Sequence, residues 1–314
     1  MTKVIAIGAY SETDLNDLKA RHDALVIDNI GKLPAIPEDT RQQVEAVAYK
    51  GGRPFGGAEM DLTPNLRLIA NFGVGYDAIS IPDATARGIT VTNTPDVLND
   101  DVADLAVAML IARARDMPKA ENFLRDGKWA YGETLPLARK MSGRRVGIAG
   151  LGRIGREIAD RLAAFKCDIH YTSRQEKDTP GWTYHDSVVA LAEAVDDLVI
   201  AVVGGPDTVN YVDAKAVAAL GPDGLIVNIS RGSVIDEDAL LQALEQGVIR
   251  GAALDVFLNE PDIDRRFLAL DNVLLLPHVG SATVETRAAM GALQRANIDA
   301  VLGGDKPLTP VNAH

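Results

Sequence analysis

The chain has 314 residues, too many for one comfortable core and enough for two domains of the usual size, roughly 100 to 200 residues each. Its 32 basic and 44 acidic side chains leave a net charge of -12, a field that repels nucleic-acid backbones and anionic membranes and so argues against both as partners. No apolar stretch approaches the roughly 20 residues that span a bilayer, and the one cysteine, Cys167, has no partner for an internal disulfide.

The opening segment, MTKVIAIGAYSETD, turns acidic after a short apolar run and offers no small-residue cleavage site, so it predicts a first strand and not a secretory leader. With Cys167 placed as a small buried residue at a strand entry, a reducing cytosol is the expected compartment. Short apolar runs recur at 3–7, 44–49, 66–70 and 89–91, separated by polar or helical stretches. That alternation predicts an α/β unit with a mostly parallel sheet covered on both faces. After the Asn93-Thr94-Pro95 turn, apolar residues at Val102, Leu105, Ala106, Met109 and Leu110 follow a 3.6-residue period, which predicts a connecting helix from Asn99.

A second alternation starts at RRVGIAG. Directly after that run come Gly150, Leu151, Gly152, Arg153, Ile154 and Gly155, and directly after them the helical stretch REIADRLAAF. A GxGxxG between a strand and a helix predicts a dinucleotide cradle. The first glycine permits the tight turn, the second lets backbone approach the pyrophosphate, and the third lets helix and strand pack closely, while the helix N-terminus supplies amides and a positive dipole. The next run, DIHYTSR, ends in Thr172, Ser173 and Arg174, where NAD binders place a carboxylate for the ribose hydroxyls. Hydroxyls and a guanidinium there suit a 2'-phosphate, so NADPH is the expected coenzyme and NADH the weaker one.

Three later runs, LIVNI, GAALDV and NVLLL, are each followed within a few residues by a chemically active side chain: Arg231, Glu260 and His278. The carboxyl ends of strands in a doubly wound sheet are where ligands bind, so this spacing gathers a cation, a carboxylate and an imidazole at one crevice. Reducing a 2-keto acid needs an anchor for its carboxylate, stabilisation of the nascent alkoxide and a proton donor. Arg231 can supply the first two and His278 the third, with Glu260 holding the imidazolium. The other histidines, His22, His170, His185 and His314, lack such a setting. His170 falls inside a predicted strand and His185 in the polar stretch after Trp182, and both read as structural or surface residues. No cluster has the spacing of a metal site. The last stretch, ETRAAMGALQRANIDAVLGG, has helical period and stops at a glycine pair.

Taken together, NFGVGYD, VTNTPDVLNDDVADLA, RRVGIAGLGRIGREIA, NISRGSVIDEDAL, GAALDVFLNEP and LLLPHVGSATVETR resemble the D-isomer-specific 2-hydroxyacid dehydrogenases over essentially the whole chain. The resemblance implies that the Arg of SRG, the Glu of NEP and the His of PHxGS are catalytic, which are Arg231, Glu260 and His278 here. It implies a substrate carboxylate held also by backbone amides at Val74 and Gly75, a nicotinamide carboxamide contact at Asp255, and substrate contact by the loop Gly51-Gly52-Arg53. It implies a homodimer, with Trp129 in the segment that reaches the neighbour. The architecture implied is a Rossmann cofactor domain, residues 99–286, inserted into a flavodoxin-like substrate domain, residues 1–98 plus 287–314. The segments most resemble glyoxylate/hydroxypyruvate reductases and the related hydroxyphenylpyruvate reductases. The implied activity is NADPH-dependent reduction of glyoxylate or hydroxypyruvate to glycolate or D-glycerate. Reduction of aryl pyruvates, or a non-enzymatic dinucleotide-sensing role, are the alternatives.

Overall fold

The computed structural model describes residues 2–312. Of these, the residues up to Leu98 and those from Ala282 onward form one unit, and Asn99–Ser281 form a second.

Alternation of side-chain size explains the first sheet. In β1 (Val4–Gly8), Ile5 and Ile7 join one buried cluster while Val4 and Ala6 join another, so the strand is covered on both faces. Strands β2 (Leu25–Ile27), β3 (Ala46–Lys50), β4 (Leu68–Asn71) and β5 (Thr90–Thr92) complete a parallel sheet in the order β2-β1-β3-β4-β5. Large residues (Ile5, Ile7, Val47, Tyr49, Ile69) fill one face. Small ones (Ala6, Ala46, Ala48, Ala70) lie on the other, beneath Leu18 of the Glu12–His22 helix and Ile298 and Val301 of the Val284–Gly303 helix. Alanines at these positions let the two helices approach the sheet closely. The second of them begins at Thr283, whose side chain accepts from the Thr286 N–H, and ends at Gly304 in a left-handed conformation, φ 88°.

The second sheet has seven parallel strands: β6 (Arg145–Ala149), β7 (Asp168–Thr172), β8 (Thr183–His185), β9 (Asp197–Ile200), β10 (Leu225–Asn228), β11 (Gly251–Leu254) and β12 (Val273–Leu275). Their order is β12-β11-β10-β9-β6-β7-β8, so the winding reverses between β6 and β9, the position at which open α/β sheets bind ligands. The Asn99–Ala114 and Arg153–Ala164 helices pack against one another. On the opposite face, the Val188–Ala194, Ala214–Ala219 and Glu237–Glu245 helices bury Leu191, Val217, Leu240 and Leu241.

Two edge strands differ from the sequence expectation. Leu25–Ile27 is a strand where none is predicted, and His185 lies in β8, not in an irregular polar stretch. Each has three residues: β2 reads Leu-Val-Ile, apolar but too short to show a period, and β8 reads Thr-Tyr-His, with no apolar run. Cys167 is buried at the entry to β7, and burial pushes its thiol up to about 11, which keeps it inert.

Candidate active site

The carboxyl ends of β10, β11 and β12, adjacent in the second sheet, carry Arg231, Glu260 and His278. Arg231 is aimed by a side-chain brace. The Asn228 carboxamide accepts from the Ser230 N–H at 3.0 Å and donates to the Arg231 carbonyl at 3.0 Å, and the Ser230 hydroxyl donates to the Val202 carbonyl. The guanidinium itself donates Nη1–H to the Ser230 carbonyl at 2.8 Å. Gly204 lies against the stem of Arg231, where an added Cβ would sit 2.5 Å from Cγ. Gly232 lies against the backbone of Phe257 and Leu258, with no room for any side chain. The loops after β10 and β11 are therefore in backbone contact, which is what brings Arg231 toward Glu260.

Glu260 uses both oxygens. Oε1 accepts from the Phe257 N–H at 2.9 Å, and Oε2 accepts from His278 Nδ1–H at 2.6 Å. Burial pushes this carboxyl up, but the hydrogen bond and charge of His278, the Phe257 amide and the charge of Arg231 outweigh it, and the net position is below the ordinary glutamate range. His278 sits in the left-handed region, φ 53°, a conformation that needs support in a residue other than glycine. The support comes from Asp255. Its carbonyl accepts from the His278 N–H at 2.9 Å, and its carboxylate accepts from the Val279 and Gly280 N–H groups at 2.7 and 2.8 Å. Asp255 is 1% exposed, and burial raises its pKa against the opposing pull of those two amides. The family resemblance connects Asp255 with the coenzyme; its bracing of the His278 turn is not expected from sequence.

The glycine turn after β6 is built for close backbone approach. Gly150 has φ 102°, and a Cβ there would lie 2.7 Å from the Val202 nitrogen; at Gly155 it would overlap the Gly150 carbonyl. Gly152 faces open space, with nothing within 4 Å of such an atom, and it caps the Arg153–Ala164 helix without a side-chain bond. A helix N-terminus not covered by a capping side chain, next to a glycine that leaves room, fits a pyrophosphate. Leu151 is buried, Ile154 half-buried and Arg153 exposed. At the end of β7, Thr172 is buried and accepts the Gly150 N–H at 3.0 Å, Ser173 is half-buried and Arg174 is exposed. No carboxylate occupies the end of this strand, in keeping with a 2'-phosphate.

In the first unit, Val74 and Gly75 lie in the loop after β4. The Asn71 amide donates to the Gly73 and Gly75 carbonyls at 3.1 and 2.9 Å, and the Asn93 amide donates to the Val74 carbonyl at 2.9 Å. A trans peptide holds its C=O and the following N–H on opposite sides, so bonding these carbonyls turns the Val74 and Gly75 N–H groups away from the two asparagines. From sequence Asn93 is expected only as a turn residue and Asn71 only as the start of NFGVGYD; the signal for their hold on this loop is a carboxamide at the buried end of a strand, 5% and 9% exposed for Asn71 and Asn93. Arg53 is exposed, and its carbonyl accepts from the Tyr49 hydroxyl.

Of the other histidines, His22 pairs with Asp299 at 3.2 Å, and His170 and His185 meet, Nδ1 to Nε2 2.9 Å. His314 lies outside the described residues. Trp129 is 71% exposed, as are Tyr131 (85%) and Leu137 (99%) nearby in the chain. Among the described residues no group of three or more His, Cys, Asp or Glu could hold a metal ion, and no helix is long and apolar enough to cross a membrane.

Residues 107–280 match the family model described as D-isomer specific 2-hydroxyacid dehydrogenase, NAD binding domain. The chain is 43% identical to a hydroxyphenylpyruvate reductase of Plectranthus scutellarioides, over 88% of this chain and 90% of that protein. It is likewise 43% identical to a glyoxylate/hydroxypyruvate reductase A of Arabidopsis thaliana, over 94% of each. Among solved structures it is similar to an NADPH-dependent glyoxylate/hydroxypyruvate reductase of Sinorhizobium meliloti in complex with NADP and malonate. That match has a TM-score of 0.93 and 42% identity and covers 99% of this chain and 96% of that one.

Proposed function

We propose a substrate, a coenzyme and a set of residue roles on one premise: the chain belongs to the D-isomer specific 2-hydroxyacid dehydrogenase family. It is an NAD(P)H-dependent oxidoreductase, and its reaction is the reduction of glyoxylate or hydroxypyruvate to glycolate or D-glycerate with NADPH. The observation that carries this reading is the Glu260–His278 pair at 2.6 Å beside Arg231, at three neighbouring strand ends of a dinucleotide-binding sheet.

Arg231 anchors the keto acid through its carboxylate and lowers the energy of negative charge on the carbonyl oxygen. Gly150, Leu151, Gly152, Arg153, Ile154 and Gly155 would cradle the coenzyme, with Ser173 and Arg174 at its 2'-phosphate and Asp255 at its carboxamide, and NADPH held there would supply the hydride for C2. His278, with Nδ1–H committed to Glu260, presents Nε2–H to the oxygen and transfers that proton as the alkoxide forms. It is left neutral and still bonded to the carboxylate. Its side chain is 46% exposed, so solvent can return the proton. In the first unit, the N–H groups of Val74 and Gly75 are donors to a substrate carboxylate.

The first unit is the substrate-binding domain and Asn99–Ser281 the coenzyme domain. A second copy of the chain covers the exposed Trp129, Tyr131 and Leu137, giving a homodimer, and the inert thiol of Cys167 suits a cytosolic protein. Aryl pyruvates are the second reading. It is supported by the hydroxyphenylpyruvate reductase relative and by Gly52, where an added Cβ would meet nothing within 4 Å. Specificity constants for NADPH and NADH, each with glyoxylate, hydroxypyruvate and phenylpyruvate, test the assignment. Highest values with NADPH and the small acids support it; a preference for phenylpyruvate moves the enzyme to the aryl branch, and no turnover in any pairing overturns the reductase reading.

A further inference from the structure

The loop from β7 to β8, residues 173–182, is mostly exposed and contains Pro180 and Gly181. Loops of this kind are ordinarily the mobile parts of a fold. This one is tied down along its length. The buried Tyr171 uses its phenol twice on one residue, accepting the Lys177 N–H at 2.9 Å and donating to the Lys177 carbonyl at 3.1 Å. Tyr184 of β8 donates to the Ser173 carbonyl at 3.4 Å, and the Ser173 hydroxyl donates to the Gln175 carbonyl. Thr179 Oγ1 accepts the Trp182 N–H at 3.2 Å.

The remaining tie comes from the Arg153–Ala164 helix. Arg156, in the first turns of the Arg153–Ala164 helix, donates Nη1–H to the Asp178 carbonyl at 2.8 Å, and its guanidinium lies over the Trp182 ring, 4.9 Å from the centroid. A cation over an indole is the favoured aromatic partner for arginine, and here the planar group serves stacking and hydrogen bonding together. A contact to Asp160 one turn on, 3.8 Å between exposed side chains, is too weak to account for this placement. Arg156 therefore links the helix that begins at the glycine cradle to the far end of the loop that begins with Ser173 and Arg174.

We propose that Arg156 and Trp182 form a strap that holds the 173–182 loop in the conformation in which Ser173 and Arg174 receive the 2'-phosphate of NADPH. Arg156 is thus a positioning residue for coenzyme selectivity. The proposal rests on the reading of Ser173 and Arg174 as the 2'-phosphate site. Its physical content is preorganisation: a loop ordered before binding does not give up that entropy when the phosphate arrives. The effect is confined to ligands that carry the phosphate, since a ligand without it does not engage Arg174.

Calorimetric titration of the full chain, free of coenzyme, with adenosine 2',5'-bisphosphate and with 5'-AMP tests the strap without relying on turnover. Arg156→Met and Trp182→Leu are expected to weaken the bisphosphate about tenfold and 5'-AMP less than twofold. Trp182→Leu keeps the Arg156 charge, so its loss cannot be a simple change of local field. Trp182→Phe, which restores an aromatic face, is expected to recover most of the affinity. Equal losses for both ligands, or no loss for either, overturn the strap. If a strap variant does not fold, Tyr184→Phe removes only the hydroxyl on the Ser173 carbonyl and is expected to cost the bisphosphate about threefold; no change there counts against the proposal. A wild type that binds the two ligands equally overturns the 2'-phosphate reading itself, whereas a discriminating wild type with equally discriminating variants overturns the strap alone.

Discussion

At the β10–β12 end of the seven-stranded sheet, each candidate catalytic residue is held by direct hydrogen bonds: Asn228 braces the Arg231 turn, Asp255 braces the His278 turn, and Glu260 is bonded to Phe257 and His278. At the β7–β8 end, the Arg174 charge proposed for the 2'-phosphate stands exposed on a long loop, which is tied at the neighbouring Ser173 and farther on at Lys177, Asp178 and Trp182. The first arrangement suits groups whose position must hold during bond making, where small displacements are expensive. The second suits a group that adds affinity for one end of a large coenzyme. Substitutions at the two ends should then fall on different kinetic constants.

Of the substitutions that contrast the two ends, the largest effect is expected from Arg231→Gln, which removes the charge proposed to anchor the keto acid and stabilise its oxygen. Loss of such a group is worth about 10² to 10³ in kcat, and steady-state assays should show this with KM for NADPH little changed. Next, Glu260→Gln takes away the carboxylate that stabilises an imidazolium at His278. With His278 Nδ1–H no longer held by a carboxylate, kcat for reduction should fall by about tenfold or more while KM for NADPH stays nearly unchanged, and an unchanged kcat would break the dyad. Arg174→Ala, at the other end of the sheet, should raise KM for NADPH by about tenfold, the scale of a charge-assisted hydrogen bond, with KM for NADH and kcat nearly unchanged. Equal effects on both coenzymes would erase the contrast between the two ends.

The smallest effect is on stability. Glu260 has a folded-state pKa below its ordinary value, so it binds fewer protons folded than unfolded and stabilises the fold above about pH 4.3. That contribution is lost as pH falls through the lower folded value. Denaturation midpoints of wild type and Glu260→Gln should therefore converge as pH drops below about 4.3; a gap that widens in acid would reverse the sign of the argument.

Much of this geometry was legible in the chain. Central strands such as β6, β10 and β11 are continuous apolar runs, and the glycines between β6 and its helix have one stereochemical reading, so the common edge that carries Arg231, Glu260 and His278 follows from spacing. What was not legible is non-local. The Leu25–Ile27 and Thr183–His185 strands are three-residue edges, too short to show a period and defined by their pairing with β1 and β7. Asn71 and Asn93 act on the 73–75 loop from separate strand ends, and Asp255 reaches Val279 and Gly280 across 24 and 25 residues. The His170–His185 and Arg156–Trp182 contacts likewise join positions that no local pattern connects.

The central claim is that His278 delivers the proton. Because its φ is 53°, asparagine, which tolerates the left-handed region, is the fitting replacement for removing the acid while keeping the turn. The single-turnover rate of His278→Asn with saturating NADPH and glyoxylate should fall by roughly 10² to 10⁴, the usual worth of a general acid, with NADPH affinity unchanged. A fall of less than about tenfold would contradict the account and remove His278 from that role.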